Sequence, residues 1–90
     1  MEGKEIFPNS ILVEAREITT KARNQNYGSP KESFEKVAKI ASILSKKRIT
    51  EVDCINIMIA TKLARESHKH NRDNLVDVAG YAEILNNLYE

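Results

Sequence analysis

Apolar residues recur along this chain at the three-and-four spacing of helices, and no stretch alternates with the two-residue period of a strand. Ile11, Ala15, Ile18 and Ala22 mark one stripe, and Phe34, Val37, Ala38, Ala41 and Leu44 mark a second. Leu75, Val78, Ala79, Ala82 and Leu85 mark a further one near the C-terminus. Polar punctuation between the stripes places the ends. Asn9 or Ser10 caps a first helix that runs out near Asn26. Tyr27-Gly28-Ser29-Pro30 turns the chain, with Ser29 as N-cap, Pro30 at the first helical position and Glu32 completing a capping box. The second helix ends around Lys46-Lys47-Arg48, where cations suit the negative helix end. Thr50 opens the third, with Glu51 and Asp53 in its first turn, and the fourth runs from near Asn71 to about Tyr89. The pattern predicts an all-α fold, a compact bundle of about four helices.

The third helix differs from the others. Cys54, Ile55, Ile57, Met58, Ile59, Ala60, Leu63 and Ala64 surround almost its whole circumference. A helix apolar on all sides is usually buried, so this one is expected at the centre, covered by the other three or by a second subunit.

Length and charge narrow the picture. Ninety residues, with 41% apolar and 30% charged, suit one domain over 1–90, in which 1–8 are a lead-in ending at Pro8. A chain this short often completes its burial by self-association, so a homo-oligomer is expected. The formal charge of +1 supplies no global field toward nucleic acid or an anionic membrane. Anion recognition must come from a local cluster. Cys54 is the single cysteine, which excludes an intrachain disulfide. The start of the chain lacks a signal-like apolar core, and no apolar run approaches the roughly 20 residues of a membrane helix. These features predict a cytosolic protein with no membrane partner.

Candidate chemistry sits on the last two helices. At about 100° per residue, Lys62 projects between Ile55 and Met58, and Arg65 lies near Met58 and Cys54. Two cations thus leave a largely apolar helix, either snorkelling to water or pointing into a pocket where they meet phosphate. Asp73 and Asp77 stand one turn apart on one face of the fourth helix, with Gly80 beyond them and Tyr81 at the border. Such a pair can share Mg²⁺ bridged to substrate phosphates. Equally, Asp73 suits the positive helix end and Asp77 can pair with Arg65 or Arg72. Gly80 lets another backbone or a ligand approach. Glu14 borders the first apolar stripe and can reach inward, whereas Glu17, Glu32 and Glu35 suit solvated faces or caps. Cys54 reads as a core residue, and His68 and His70 as part of a polar connection, since their spacing fits no zinc site. Lys46-Lys47-Arg48 ahead of a helix suggests helix-turn-helix DNA binding only weakly, because the following helix offers no polar recognition face.

Taken in order, the residues read Arg23-x3-Tyr27-Gly28-x-Pro30-x3-Phe34, then Asp53, then Lys62-x2-Arg65, then Asp73-x3-Asp77-x2-Gly80-Tyr81. This signature resembles a family of short phage and prophage proteins of unknown function, and is similar to the nucleotide-modification-associated domains. More distantly it resembles the all-α nucleotide pyrophosphohydrolases of the MazG type. The resemblance implies a MazG-like bundle acting on a nucleotide. It implies that Asp73 and Asp77 are catalytic and, with Glu14, hold Mg²⁺. Lys62, Arg65 and Arg23 would meet phosphates, and Tyr27 or Tyr81 would stack on a base. Glu14-x2-Glu17 is sparser than the acidic motif of the MazG type. Three functions therefore stand: Mg²⁺-dependent hydrolysis of a nucleoside triphosphate phosphoanhydride, capture of a nucleotide-derived immune signal without reaction, or a small helical interaction protein.

Overall fold

Helix starts are set locally, by side chains that satisfy the first free backbone N–H groups. In the computed structural model, which describes residues 10–19 and 29–90, four such starts are built. Ser10 accepts from the Leu12 N–H at 3.1 Å and opens α1, Ile11–Glu17. Ser29 accepts from the Glu32 N–H at 3.2 Å and opens α2, Pro30–Ser45. Thr50 and Asp53 form a reciprocal capping box, at 3.1 and 3.0 Å, ahead of α3, Glu51–His68. Asn71 accepts from the Asp73 N–H at 3.0 Å and opens α4, Arg72–Asn87. The all-α expectation holds among the described residues. The lead-in 1–8 and the end of the first helix near Asn26 fall outside them.

The turn between α2 and α3 is closed by a serine. The Ser42 hydroxyl donates to the carbonyls of Ala38 (2.7 Å) and Ile49 (3.1 Å) and accepts the Ile49 N–H at 2.9 Å. Lys46 ends α2 in the left-handed region, at φ 59°. The chain then reverses, and α3 lies between α2 on one side and α4 on the other. α1 packs on α4. The packed order is therefore α2, α3, α4, α1, and α1 and α2 are not a packed pair.

Ile55, Tyr81 and Ile84 form the core, with Phe34, Met58, Ile59, Leu85 and Leu88 packed around them. Ile55 and Val76 are fully buried. Burying each such side chain contributes about 1.5–3 kcal/mol. Ile84 thus belongs to this core, and Leu88 packs against it.

Of the two expected ways of covering α3, coverage by the other described helices is corrected here. α3 is central in order, yet Ile57 and Leu63 are 58% and 48% exposed, and Ala60 and Ala64 are also exposed. Among the described helices, α2 and α4 are the ones that pack closely on α3, and these residues lie away from both. On α2, Val37, Ile40, Ile43 and Leu44 are likewise exposed.

Candidate ligand-binding site

The antiparallel pairing of α3 and α4 decides which charged residues meet. Lys62 lies opposite Asp77, its ammonium 2.9 Å from a carboxylate oxygen, with side chains 17% and 20% exposed. One turn further toward the connection, Glu66 accepts from the side-chain amide of Asn74 at 3.2 Å. One layer in the other direction lies the aromatic layer, where Tyr81 meets Phe34 edge to face at 6.2 Å. The helix pair thus grades from a polar end, through an ion pair, to an apolar core.

Asp77 therefore pairs with Lys62, and not with Arg65 or Arg72. Lys62 neither snorkels freely nor points into an empty pocket: its charge is matched where it leaves the helix. Arg65 is exposed and makes no ion pair among the described residues. Asp73 is exposed in the first turn of α4. Glu14 reaches across from α1 to the Arg72 guanidinium, which ties the short helix to the start of α4.

Glu66 is the residue that sequence reasoning missed. It accepts the Asn71 N–H at 2.9 Å, the Asn74 amide, and the Nδ1 of His70. The backbone hydrogen bond from Asn71, followed by the His70 contact, holds its carboxyl below the usual range. Asp53 is lowered likewise, by the Thr50 backbone and hydroxyl. Burial, followed by the Asp53 and Glu51 charges, pushes the Cys54 thiol up. The only available signal for Glu66 was a carboxylate one turn before a short polar connection.

The expected base contact of Tyr81 is corrected, and the close approach expected at Gly80 is found. The Tyr81 ring is 8% exposed and lies in the core against Phe34, so it offers no face to a base. Gly80 gives its space to α1: a Cβ there would lie 3.1 Å from the Thr19 methyl and 4.0 Å from the Ala15 carbonyl oxygen. Another backbone approaches at this glycine, and that backbone is the chain's own. Arg23 and Tyr27 lie outside the described residues.

The described carboxylates do not fit a magnesium centre. No three acidic or other metal-ligating side chains gather among the described residues. Asp77 is held by Lys62 and Glu14 by Arg72, so both are committed to cations already in place.

Two hollows adjoin α1. One, of about 20 Å³, is lined by Ala15, Ile18, Thr19, Asp77, Gly80 and Tyr81 among others, and has room for little more than water. The other is a hollow of about 840 Å³ bordered, among the described residues, by α1, α2 and α4. Leu12 and Arg16 of α1 form one wall, Pro30 and Lys31 of α2 the other. The floor is the α4 face of Ala79, Glu83, Asn87 and Leu88. Its volume lies within the roughly 300–1,000 Å³ of small-molecule sites. None of the described helices is long and apolar enough to cross a membrane.

The chain matches a family described as a domain of unknown function (DUF6378) over residues 10–89. It is 40% identical over 82 residues to the Gene 55 protein of Mycobacterium phage D29, covering 90% of this chain and 54% of that protein. It is 37% identical over 78 residues to the Gene 55 protein of Mycobacterium phage L5, covering 84% of this chain and 50% of that protein. The chain thus spans about half the length of these relatives. No solved structure matches it.

Proposed function

The chain belongs to the DUF6378 family, and we propose that it is a helical binding unit for a nucleotide or nucleotide-derived ligand, held without metal and released unchanged. The observation that carries this reading over hydrolysis is the state of the carboxylates. Asp77 and Glu14 are each engaged by a cation, and the described acids form no metal-ligating group. A hydrolase of the MazG type needs free carboxylates to hold Mg²⁺ and orient water; a binding protein needs cations and a cleft. Arg65, without an ion pair among the described residues, and Lys31 at the edge of the α1–α2 hollow supply the former.

The test is a thermal-shift series with nucleoside mono- and triphosphates, each in Mg²⁺ and in EDTA, followed by analysis of the recovered nucleotide. Binding raises the midpoint by linkage. The reading expects equal shifts with and without metal and intact ligand. Mg²⁺-dependent turnover that Asp77→Asn abolishes would overturn it in favour of hydrolysis.

Self-association is a second element of the proposal, favoured by the exposed Val37, Ile40 and Leu44 of α2 and Ile57 and Leu63 of α3. Large apolar side chains left in water at this density mark interaction surfaces. Light scattering should return a mass above the 10.2 kDa of one chain, and Ile40→Glu with Ile57→Glu should reduce it to the monomer value.

A further inference from the structure

α3 turns one face to the core and the opposite face to solvent. Ile55 is fully buried. Ala64 lies about two and a half turns later and so points the other way. With it on the outer face stand Asp53, Ile57, Ala60 and His68, all of them exposed.

This stripe reads the same from either end. Asp53 stands four residues before Ile57 and His68 four after Ala64, with Ala60 near the middle. A two-fold axis beside Ala60 that lays a second α3 antiparallel on the first therefore pairs unlike residues. Ile57 meets the partner's Ala64, a large side chain against a small one, as facing layers need in order to interdigitate. Asp53 meets the partner's His68. The Thr50 N–H occupies Oδ2 of Asp53, and a carboxylate has a second oxygen with which to accept an imidazole N–H. The negative end of each helix also lies by the positive end of the other. Such an interface is isologous: one patch serves both copies, and the assembly closes at two. The exposed face of α2 lacks this complementarity. Lys36, Lys39, Lys46, Lys47 and Arg48 are exposed there, and no acid stands between 36 and 50. A two-fold on that face would set cation against cation.

We propose that α3 is the dimerisation helix of this chain, packed antiparallel on the α3 of a second copy with Ile57 over the partner's Ala64 and Asp53 beside the partner's His68. The inference rests on the self-association reading above and adds the face, the direction and the number of copies.

Cysteine cross-linking together with light scattering tests it. Cys54 is buried, so the parent chain serves as the unlinked control. The antiparallel register brings residue 57 to the partner's residue 64, within the roughly 7 Å between Cα atoms that a disulfide spans. It leaves the two copies of residue 57 about 10 Å apart along the axis. A mixture of Ile57→Cys and Ala64→Cys chains should form linked dimers on mild oxidation, and either variant alone should not. The parent should scatter as about twice 10.2 kDa, and Ala60→Glu as a monomer. His68→Glu should weaken dimerisation by roughly tenfold or more, because it sets a second carboxylate beside Asp53. Ala60 and His68 are exposed, so the circular dichroism of both variants should match the parent. Linking by Ile57→Cys alone overturns the antiparallel direction. A dimer that Ala60→Glu leaves intact moves the contact to another face, which overturns this inference and leaves self-association standing. A parent chain that stays monomeric at every concentration overturns both.

Discussion

Replacing Gly80 with alanine sets two effects of similar size against each other. Alanine is favoured over glycine in a helix interior by about 1 kcal/mol, and Gly80 lies well inside α4. The added methyl would stand 3.1 Å from Cγ2 of Thr19, inside ordinary van der Waals contact. Thr19 cannot turn this methyl away cheaply. Its hydroxyl donates to the carbonyls of Ala15 at 2.9 Å and Arg16 at 3.1 Å, and the residue is 9% exposed. Overpacking of this kind costs about 1–3 kcal/mol, so Gly80→Ala alone should be destabilising by about 0–2 kcal/mol. In a Thr19→Ser background the hydroxyl bonds remain and the methyl is gone. Among the described residues the nearest remaining atom is then the Ala15 carbonyl oxygen at 4.0 Å, and the same change should stabilise by up to about 1 kcal/mol. Urea unfolding of the four variants, followed by helical circular dichroism, measures the coupling, expected at about 1–2 kcal/mol. An effect of Gly80→Ala that is the same in both backgrounds would refute the assignment of Thr19 as the atom Gly80 makes room for.

Three further outcomes are expected. Lys62→Met should cost about 2 kcal/mol, between the ~0–1 of an exposed pair and the ~3–5 of a buried pair broken on one side; Lys62→Met with Asp77→Leu should recover most of that loss in chemical denaturation, and a double variant weaker than the sum of the singles would contradict a true pair. Because the folded-state pKa of Glu66 is depressed, its stabilising effect is present above the ordinary glutamate pKa and is lost as pH falls through the carboxylate range. The thermal midpoint should therefore drop on acidification from about pH 5 to 3, and Glu66→Gln should flatten that slope; an unchanged slope would count against the contact. Cys54 is 6% exposed with its thiol pKa raised, so a thiol reagent at neutral pH should label it slowly in the native chain and rapidly in urea, and rapid native labelling would place it elsewhere.

The helices were legible because their signals are local. Ser29, Thr50 and Asn71 bond to backbone groups two or three residues away, so spacing alone identifies them. Coverage of α3 was not legible: its apolar circumference states what the helix could bury, not how many neighbours the chain provides. The charged residues of the site were visible as residue types, but not as partners. Asp77 had three cations within plausible reach, and only the antiparallel register of α3 and α4 selects Lys62. Glu14 and Arg72 are 58 positions apart, and nothing in helical periodicity links them. The cleft was least legible of all. It lies among residues of three helices, and Lys31, Glu83 and Asn87 look in sequence like any solvated residues.

The attachment of α1 has a consequence for how the molecule assembles. α1 is held on α4 through the Gly80 contact and the Glu14–Arg72 pair, whose partners stand 58 positions apart in the chain. α2, α3 and α4 are joined as neighbours in sequence and pair by short-range contacts, which form fast. The α1–α4 contacts close a far longer loop, so α1 is expected to dock after the α2–α3–α4 pairs have formed, and hydrogen exchange of its amides against those of α3 and α4 would test that order.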